Sequence, residues 1–214
     1  MTAITLLDDG PASAKNRLLL AHGAGAAMDS PFLNTFVALM TERGIATTRF
    51  EFDYMAARRL SSKRKPPPKA ELLVQQYESA VATVRGRMTL DERLFIGGKS
   101  MGGRVASLIA DRLYANGSIN GLVCLGYPFH APKTPDKLRT AHLAEMTSPA
   151  LIVQGDRDPF GTRGEVEAMS LSTQIAFHWA PDGDHDLGPR GASGYTRRGN
   201  LEAAADAVVA FMSS

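Results

Sequence analysis

The chain has 214 residues, of which 44% are hydrophobic and 21% charged, a length and composition ordinary for a folded domain with a real core. Its net charge of +2 points neither to wholesale nucleic-acid binding nor to repulsion from nucleic acid. The single cysteine, Cys124, excludes an intramolecular disulfide and sits in an apolar run where a buried, inert thiol is expected. No stretch approaches ~18 uninterrupted apolar residues, so no membrane span is expected. The first residues lack a basic region followed by a long apolar run, so no signal peptide is expected and the cytoplasm is the default compartment.

Short apolar runs alternate with helical patterns. Residues 17–22 read as a buried strand. Ser30-Pro31 then opens a helix with Phe32, Leu33, Phe36, Val37, Leu39 and Met40 at helical spacing, and Gly44 ends it. Residues 47–52 are the next strand. Residues 53–68 carry Arg58, Arg59, Lys63, Arg64 and Lys65, then three prolines, and read as an exposed, partly extended loop. Leu72, Leu73, Tyr77, Ala80, Val81 and Val84 mark one face of a second helix. A strand over 93–97 precedes a helix over about 101–115. Residues 121–126, 150–155 and 174–179 are further strands, and Leu201, Ala204, Ala205, Val208, Val209 and Met212 face inward from a last helix. The alternation predicts one α/β domain over residues 1–214, with a mostly parallel sheet covered by helices on both faces. The polar segment 128–149 is too short for a large cap.

Ligands on such sheets bind at the carboxyl ends of the strands. Gly98-Lys99-Ser100-Met101-Gly102 stands at such an end, between a strand and a helix. Gly-x-Ser-x-Gly in that setting holds the serine on a tight turn with its hydroxyl outward. Acyl transfer also needs a base, an acid to orient it, and donors for an oxyanion. After Ser100, the strand over 150–155 leads to Asp156 and Asp158, and the last strand leads to His185. The order Ser100, Asp158, His185 is thus satisfied, with Asp158 preferred to Asp156 because Pro159 and Gly161 shape a fixed turn around it. His178, inside a strand pattern, reads as a satisfied structural residue, while Asp182, Asp184 and Asp186 read as solvated loop acids. Backbone N–H groups of Met101 and Ala24 are the expected oxyanion donors, with Gly25 close to the second. Phe32, Gly25, Tyr54, Met55, Phe129 and Phe160 are candidates to face substrate.

Gly98-Lys99-Ser100 is not a phosphate-binding loop, because position 93 holds Arg93 where that motif needs glycine. No metal site is expected, since the acids around His185 lack a second ligating group at recognisable spacing. Arg190, Arg197 and Arg198 near His185 suggest an anionic substrate group. The rival to an enzyme is a non-catalytic module that binds an acidic partner through the basic segment 58–69.

Several stretches together carry a resemblance. They are His22-Gly-Ala-Gly25, Phe52-x-Tyr54-Met55, Pro66-Pro-Pro-Lys69, Gly97-Gly-Lys-Ser-Met-Gly-Gly103, Gly155-Asp-Arg-Asp-Pro-Phe-Gly161, and Gly183-Asp-His-Asp-Leu187 through Pro189-Arg190 to Ser193-Gly194. On these the chain resembles the α/β-hydrolase superfamily over essentially its whole length. It is most similar to the small, lidless, dienelactone-hydrolase-like serine hydrolases. Within them it resembles a bacterial group of predicted hydrolases with eukaryotic relatives among testis-expressed and chromatin-complex subunits. The resemblance implies Ser100, Asp158 and His185 as a triad. Dienelactone hydrolase itself uses a cysteine nucleophile, so with Ser100 in that place its lactone chemistry does not carry over. The expected activity is hydrolysis of a small-molecule ester or thioester, with no cofactor or metal. No nucleic-acid or membrane partner is expected, and the chain is expected to be a monomer or homodimer.

Overall fold

The computed structural model describes residues 4–60 and 66–214, with the Leu60 side chain left aside. Lys63, Arg64 and Lys65 of the basic segment lie outside the described residues. Seven strands form one sheet: β1 (Leu6–Asp9), β2 (Asn16–Ala21), β3 (Ala46–Phe50), β4 (Arg93–Lys99), β5 (Gly121–Leu125), β6 (Ala150–Gly155) and β7 (Ile175–Ala180). Their spatial order is β1-β3-β2-β4-β5-β6-β7. Only β1 runs antiparallel, on the edge beside β3. The others are parallel, with β2 and β4 at the centre.

Parallel strands need crossovers, and helices supply them. The helices are α1 (Pro31–Glu42), α2 (Asp53–Leu60), α3 (Val74–Arg85), α4 (Met101–Ser107), α5 (Ala110–Ala115), α6 (Ala141–Ala144), α7 (Arg163–Glu167) and α8 (Arg197–Ser213). Side chains alternate across a strand, so each central strand feeds two cores. Leu18, Leu20, Phe95, Val123, Leu125, Leu151 and Val153 pack with α1 and α8. Leu19, Ala21, Leu94, Ile96, Leu122, Cys124 and Ile152 pack on the other face, with α3, α4 and α5. Cys124 is fully buried there, and burial pushes its thiol pKa up.

Two local expectations differ from the structure, and one edge strand was not expected. Residues 53–60, read as extended, form α2. Asp53 in its first turn and Arg58 and Arg59 in its last complement the helix dipole. Arg59 also reaches out to Asp29 and Glu51, 2.7 Å from each. The helix expected over 101–115 breaks between α4 and α5, where the Ile109 N–H bonds the Ala106 carbonyl, a three-residue step. The edge strand β1 was not legible, because Leu6-Leu7-Asp8-Asp9 is short and has only two apolar residues in place of an apolar run; its acids suit a sheet edge.

Tyr77 ties α3 to the middle of the sheet. Its hydroxyl accepts the Gly97 N–H at 2.9 Å and lies 2.6 Å from the Gly97 carbonyl and 3.0 Å from that of Leu19. It is fully buried, so its removal strands backbone groups away from water. Tyr77→Phe is expected to lower the unfolding free energy by about 1–3 kcal/mol. Urea unfolding reads this as a lower midpoint at unchanged slope.

Candidate active site

Ser100 sits where β4 turns into α4, with φ 52° and ψ −116°. A non-glycine residue there stores strain of about 1–3 kcal/mol, which the surroundings must hold. The Ser100 N–H donates to the Leu125 carbonyl at 2.9 Å, and the Ser100 carbonyl accepts the Arg104 N–H at 3.1 Å. The turn presses against the end of β2. A Cβ on Gly98 would lie 2.5 Å from the Ala21 carbonyl oxygen. One on Gly102 would lie 2.5 Å from that same oxygen and 2.6 Å from that of His22. Only glycine fits at either position.

The loops after β6 and β7 bring two more side chains to Ser100. His185 Nε2 lies 2.9 Å from Ser100 Oγ, and His185 Nδ1 lies 2.7 Å from Asp158 Oδ2. With Nδ1 donating to the carboxylate, the neutral ring presents Nε2 as an acceptor to the serine hydroxyl. Asp158 is fully buried, and its carboxylate is saturated with donors. Oδ1 accepts the Phe160 N–H at 2.8 Å, and Oδ2 also accepts from Gln154 Nε2 at 2.9 Å. Gln154 is itself buried, and its Oε1 accepts the Tyr127 N–H at 2.7 Å. Asp156 points elsewhere: its Oδ2 accepts the Asp182 N–H.

The loop that carries His185 is braced from several sides. Asp182, expected to be solvated, is only 8% exposed and pairs with Arg157 and Arg190. The exposed Asp184 closes a turn by accepting the Asp186 and Gly188 N–H groups at 2.8 Å. Asn200 of α8 donates to the Pro181 and Leu187 carbonyls. Lys99, inside the glycine-framed motif, is 7% exposed. Its Nζ donates to the His185 carbonyl at 2.8 Å, lies 3.2 Å from Asp186 Oδ1, and sits over the Phe32 ring. Burial holds the Lys99 ammonium below its ordinary pKa. Sequence reading treated Lys99 only as a failed phosphate-loop lysine. Phe32 therefore lies under Lys99 and in the core rather than facing substrate.

The loop after β2 is equally fixed. His22 is fully buried; its Nε2 accepts the Phe52 N–H at 3.2 Å and its Nδ1 lies 2.7 Å from the Gly23 carbonyl. The Tyr54 hydroxyl lies 3.3 Å and 3.2 Å from the Gly23 and Ala24 carbonyls. Among the described residues neither the Ala24 nor the Met101 N–H donates to a protein acceptor. Both residues border the same cavity as Ser100, of about 440 Å³. Phe160 borders it too, with its ring centroid 4.4 Å from that of His185. Gly25, Tyr54, Met55 and Phe129 are not among its lining residues. Phe129 and Met55 are buried in the core. His178 is half-buried in β7, and its Nε2 has no hydrogen-bond partner among the described residues, contrary to the expectation of a satisfied residue. Arg197 lies near Asp186 and Arg198 pairs with Glu202, so like Arg190 they are already matched by acids. Among the described residues no group of three or more His, Cys, Asp or Glu side chains is placed to hold a metal, and no helix is long and apolar enough to cross a membrane.

The neutral His22 uses both ring nitrogens, and burial lowers its pKa from 6.5. The same holds in direction for His142 and His178. The folded chain therefore binds fewer protons than the unfolded one just below pH 6.5, and stability is lost as pH falls through that range. Unfolding free energy measured by urea at about pH 7.5 and about pH 5.5 is expected to drop, and His22→Gln to flatten the drop.

A family model described as an alpha/beta hydrolase domain matches residues 14–213. Among solved structures, a dienelactone hydrolase from Anabaena variabilis is 20% identical with a TM-score of 0.73, over 97% of this chain and 90% of that one. An alpha-beta serine hydrolase homologue from Coxiella burnetii is 18% identical with a TM-score of 0.70, over 97% and 90%. A serine hydrolase without a lid from Xanthomonas campestris is 17% identical with a TM-score of 0.66, over 96% and 89%. These likenesses are of fold, and they extend over nearly the whole chain without a large cap. By the family match, the chain belongs to the alpha/beta hydrolases.

Proposed function

We propose that this chain is a serine hydrolase that cleaves carboxylic ester or thioester bonds of a small molecule through an acyl-enzyme. The observation that carries the reading is the unbroken hydrogen-bonded line from Ser100 through His185 to Asp158. His185 Nε2 takes the Ser100 proton as Oγ bonds the substrate carbonyl carbon. The negative oxygen that develops is met by the Met101 and Ala24 N–H groups; one such donor is worth ~3 kcal/mol. The bond to the leaving oxygen or sulfur then breaks, and His185 returns the proton to that alcohol or thiol. A water molecule gives its proton to His185 and attacks the acyl carbon, and the carboxylic acid leaves as Ser100 regains its proton. Asp158 keeps the imidazole in the tautomer this needs and stabilises the imidazolium. A partly open cavity of about 440 Å³ suits a small substrate.

The rival reading, an acidic partner held by the basic segment, has less support. Arg59 is engaged with Asp29 and Glu51 of its own chain, and the Arg58 guanidinium lies over the Tyr54 ring.

Labelling with a fluorophosphonate probe and hydrolysis of a short p-nitrophenyl ester test the assignment. Both are expected to vanish in Ser100→Ala; labelling that persists at another residue sinks it. Asp158→Asn is expected to lower kcat on the order of 10⁴-fold while the fold is kept.

A further inference from the structure

The cavity beside Ser100 has a charge balance that ester cleavage alone does not require. Arg104 follows Ser100 by one helical turn and borders the cavity together with Arg139, from the segment after β5. Arg104 Nη2 reaches Glu71 Oε1 at 2.5 Å, while its buried Nε has no hydrogen-bond partner among the described residues. Arg139 is half-buried, and its guanidinium has no ion pair or side-chain hydrogen bond among the described residues. Burial, and then the charge of Arg104, hold it below its ordinary pKa.

A guanidinium beside a second guanidinium, partly withdrawn from water and without an ion pair of its own, is unfavourable, since the nearby Glu71 is already paired with Arg104. The Arg139 backbone is nonetheless held in place beside the cavity. The Arg139 N–H donates to the Phe129 carbonyl at 2.8 Å, and its own carbonyl accepts from the buried Tyr127 hydroxyl at 3.0 Å. The Arg139 guanidinium contrasts with those of Arg190, Arg197 and Arg198, each of which has a carboxylate close by.

We propose that this cavity selects esters that carry a carboxylate elsewhere on the same small molecule, with the Arg139 guanidinium gripping that carboxylate and Arg104 beside it. The exposed Lys69 and the Glu71 carboxylate border the cavity as well; with Arg104 half-matched by Glu71, the positive charge left over favours an anion, and the Arg139 guanidinium can meet a carboxylate through two parallel hydrogen bonds. The reading rests on the serine hydrolase assignment for turnover, but not for binding.

The probes are monoethyl succinate, which carries a carboxylate, and diethyl succinate, which does not. Binding is measured by calorimetry on Ser100→Ala protein and turnover on native protein. The monoester is expected to bind roughly 10-fold to 100-fold more tightly, and to show a kcat/KM higher by a similar factor. Arg139→Gln, alone and combined with Ser100→Ala, is expected to bring both ratios close to one, and Arg139→Lys to restore part of each. Truncating this side chain leaves no described partner unpaired, and an unchanged thermal midpoint will verify the fold. Equal binding of the two probes, or binding of neither, overturns the carboxylate site. A binding preference that depends on Arg139, with no Ser100-dependent turnover of either ester, keeps the site and removes the hydrolase reading.

Discussion

The near-contact between the end of β2 and the turn that carries Ser100 is the constraint on which the rest depends. The Ala21 carbonyl stands where a side chain on Gly98 or Gly102 would be. That approach lets β4 and α4 meet at an angle no ordinary residue tolerates, and it forces Ser100 to a positive φ. The strain is offset by long-range packing: β4 lies between β2 and β5, and α4 rests on the core they share. In the proposed hydrolysis, a hydroxyl held this way does not have to be ordered when substrate arrives, which would lower the activation barrier.

The remaining loops meet this point because each follows a parallel strand of the same sheet. Their side chains are held by hydrogen bonds to buried polar groups. Gln154 illustrates the logic: an amide buried in an apolar strand is costly unless all its groups are bonded. Here its bonds join the acid, the backbone after β5 and the turn at Gly161. Lys99 does comparable work from beneath the serine, joining the strand that carries Ser100 to the backbone of His185. A buried ammonium is expensive, and its carbonyl, carboxylate and aromatic neighbours supply the compensation. The hydroxyl and the imidazole are thereby braced against each other through the core, not only across the cavity.

Charge around the site divides into two kinds. Some arginines near it, such as Arg157 and Arg190, are consumed by Asp182 and hold a loop in place. Arg139 is held by its backbone while its guanidinium is left unmatched. Proximity of an arginine in sequence to the loop that carries His185 says nothing about which kind it is. The three that follow His185 in the chain suggested an anion site, yet the unmatched guanidinium comes from a different loop.

Much of the architecture was legible in the chain because it depends on local, repeating physics. Short apolar runs marked six of the seven strands, and helical spacings of apolar residues marked most long helices. The glycine frame of Ser100 and the order of Asp158 and His185 were visible because tight turns need particular residues at particular positions. The helix over Asp53–Leu60 was not, since its stability comes partly from Glu51 and Asp29, which no local pattern pairs with Arg59. Nor were the burial of Asp182, the bracing by Lys99 and Gln154, or the isolation of Arg139. Each of those depends on which side chains lie within about 3–4 Å, the range over which hydrogen bonds and ion pairs decide energies. The amino-acid sequence by itself determined the alternation of elements and the order of Ser100, Asp158 and His185 along the chain. Only the tertiary structure decided which charges are neutralised and which are left facing the cavity, because partners such as Lys99 and His185, 86 residues apart in the chain, meet only when the sheet has formed.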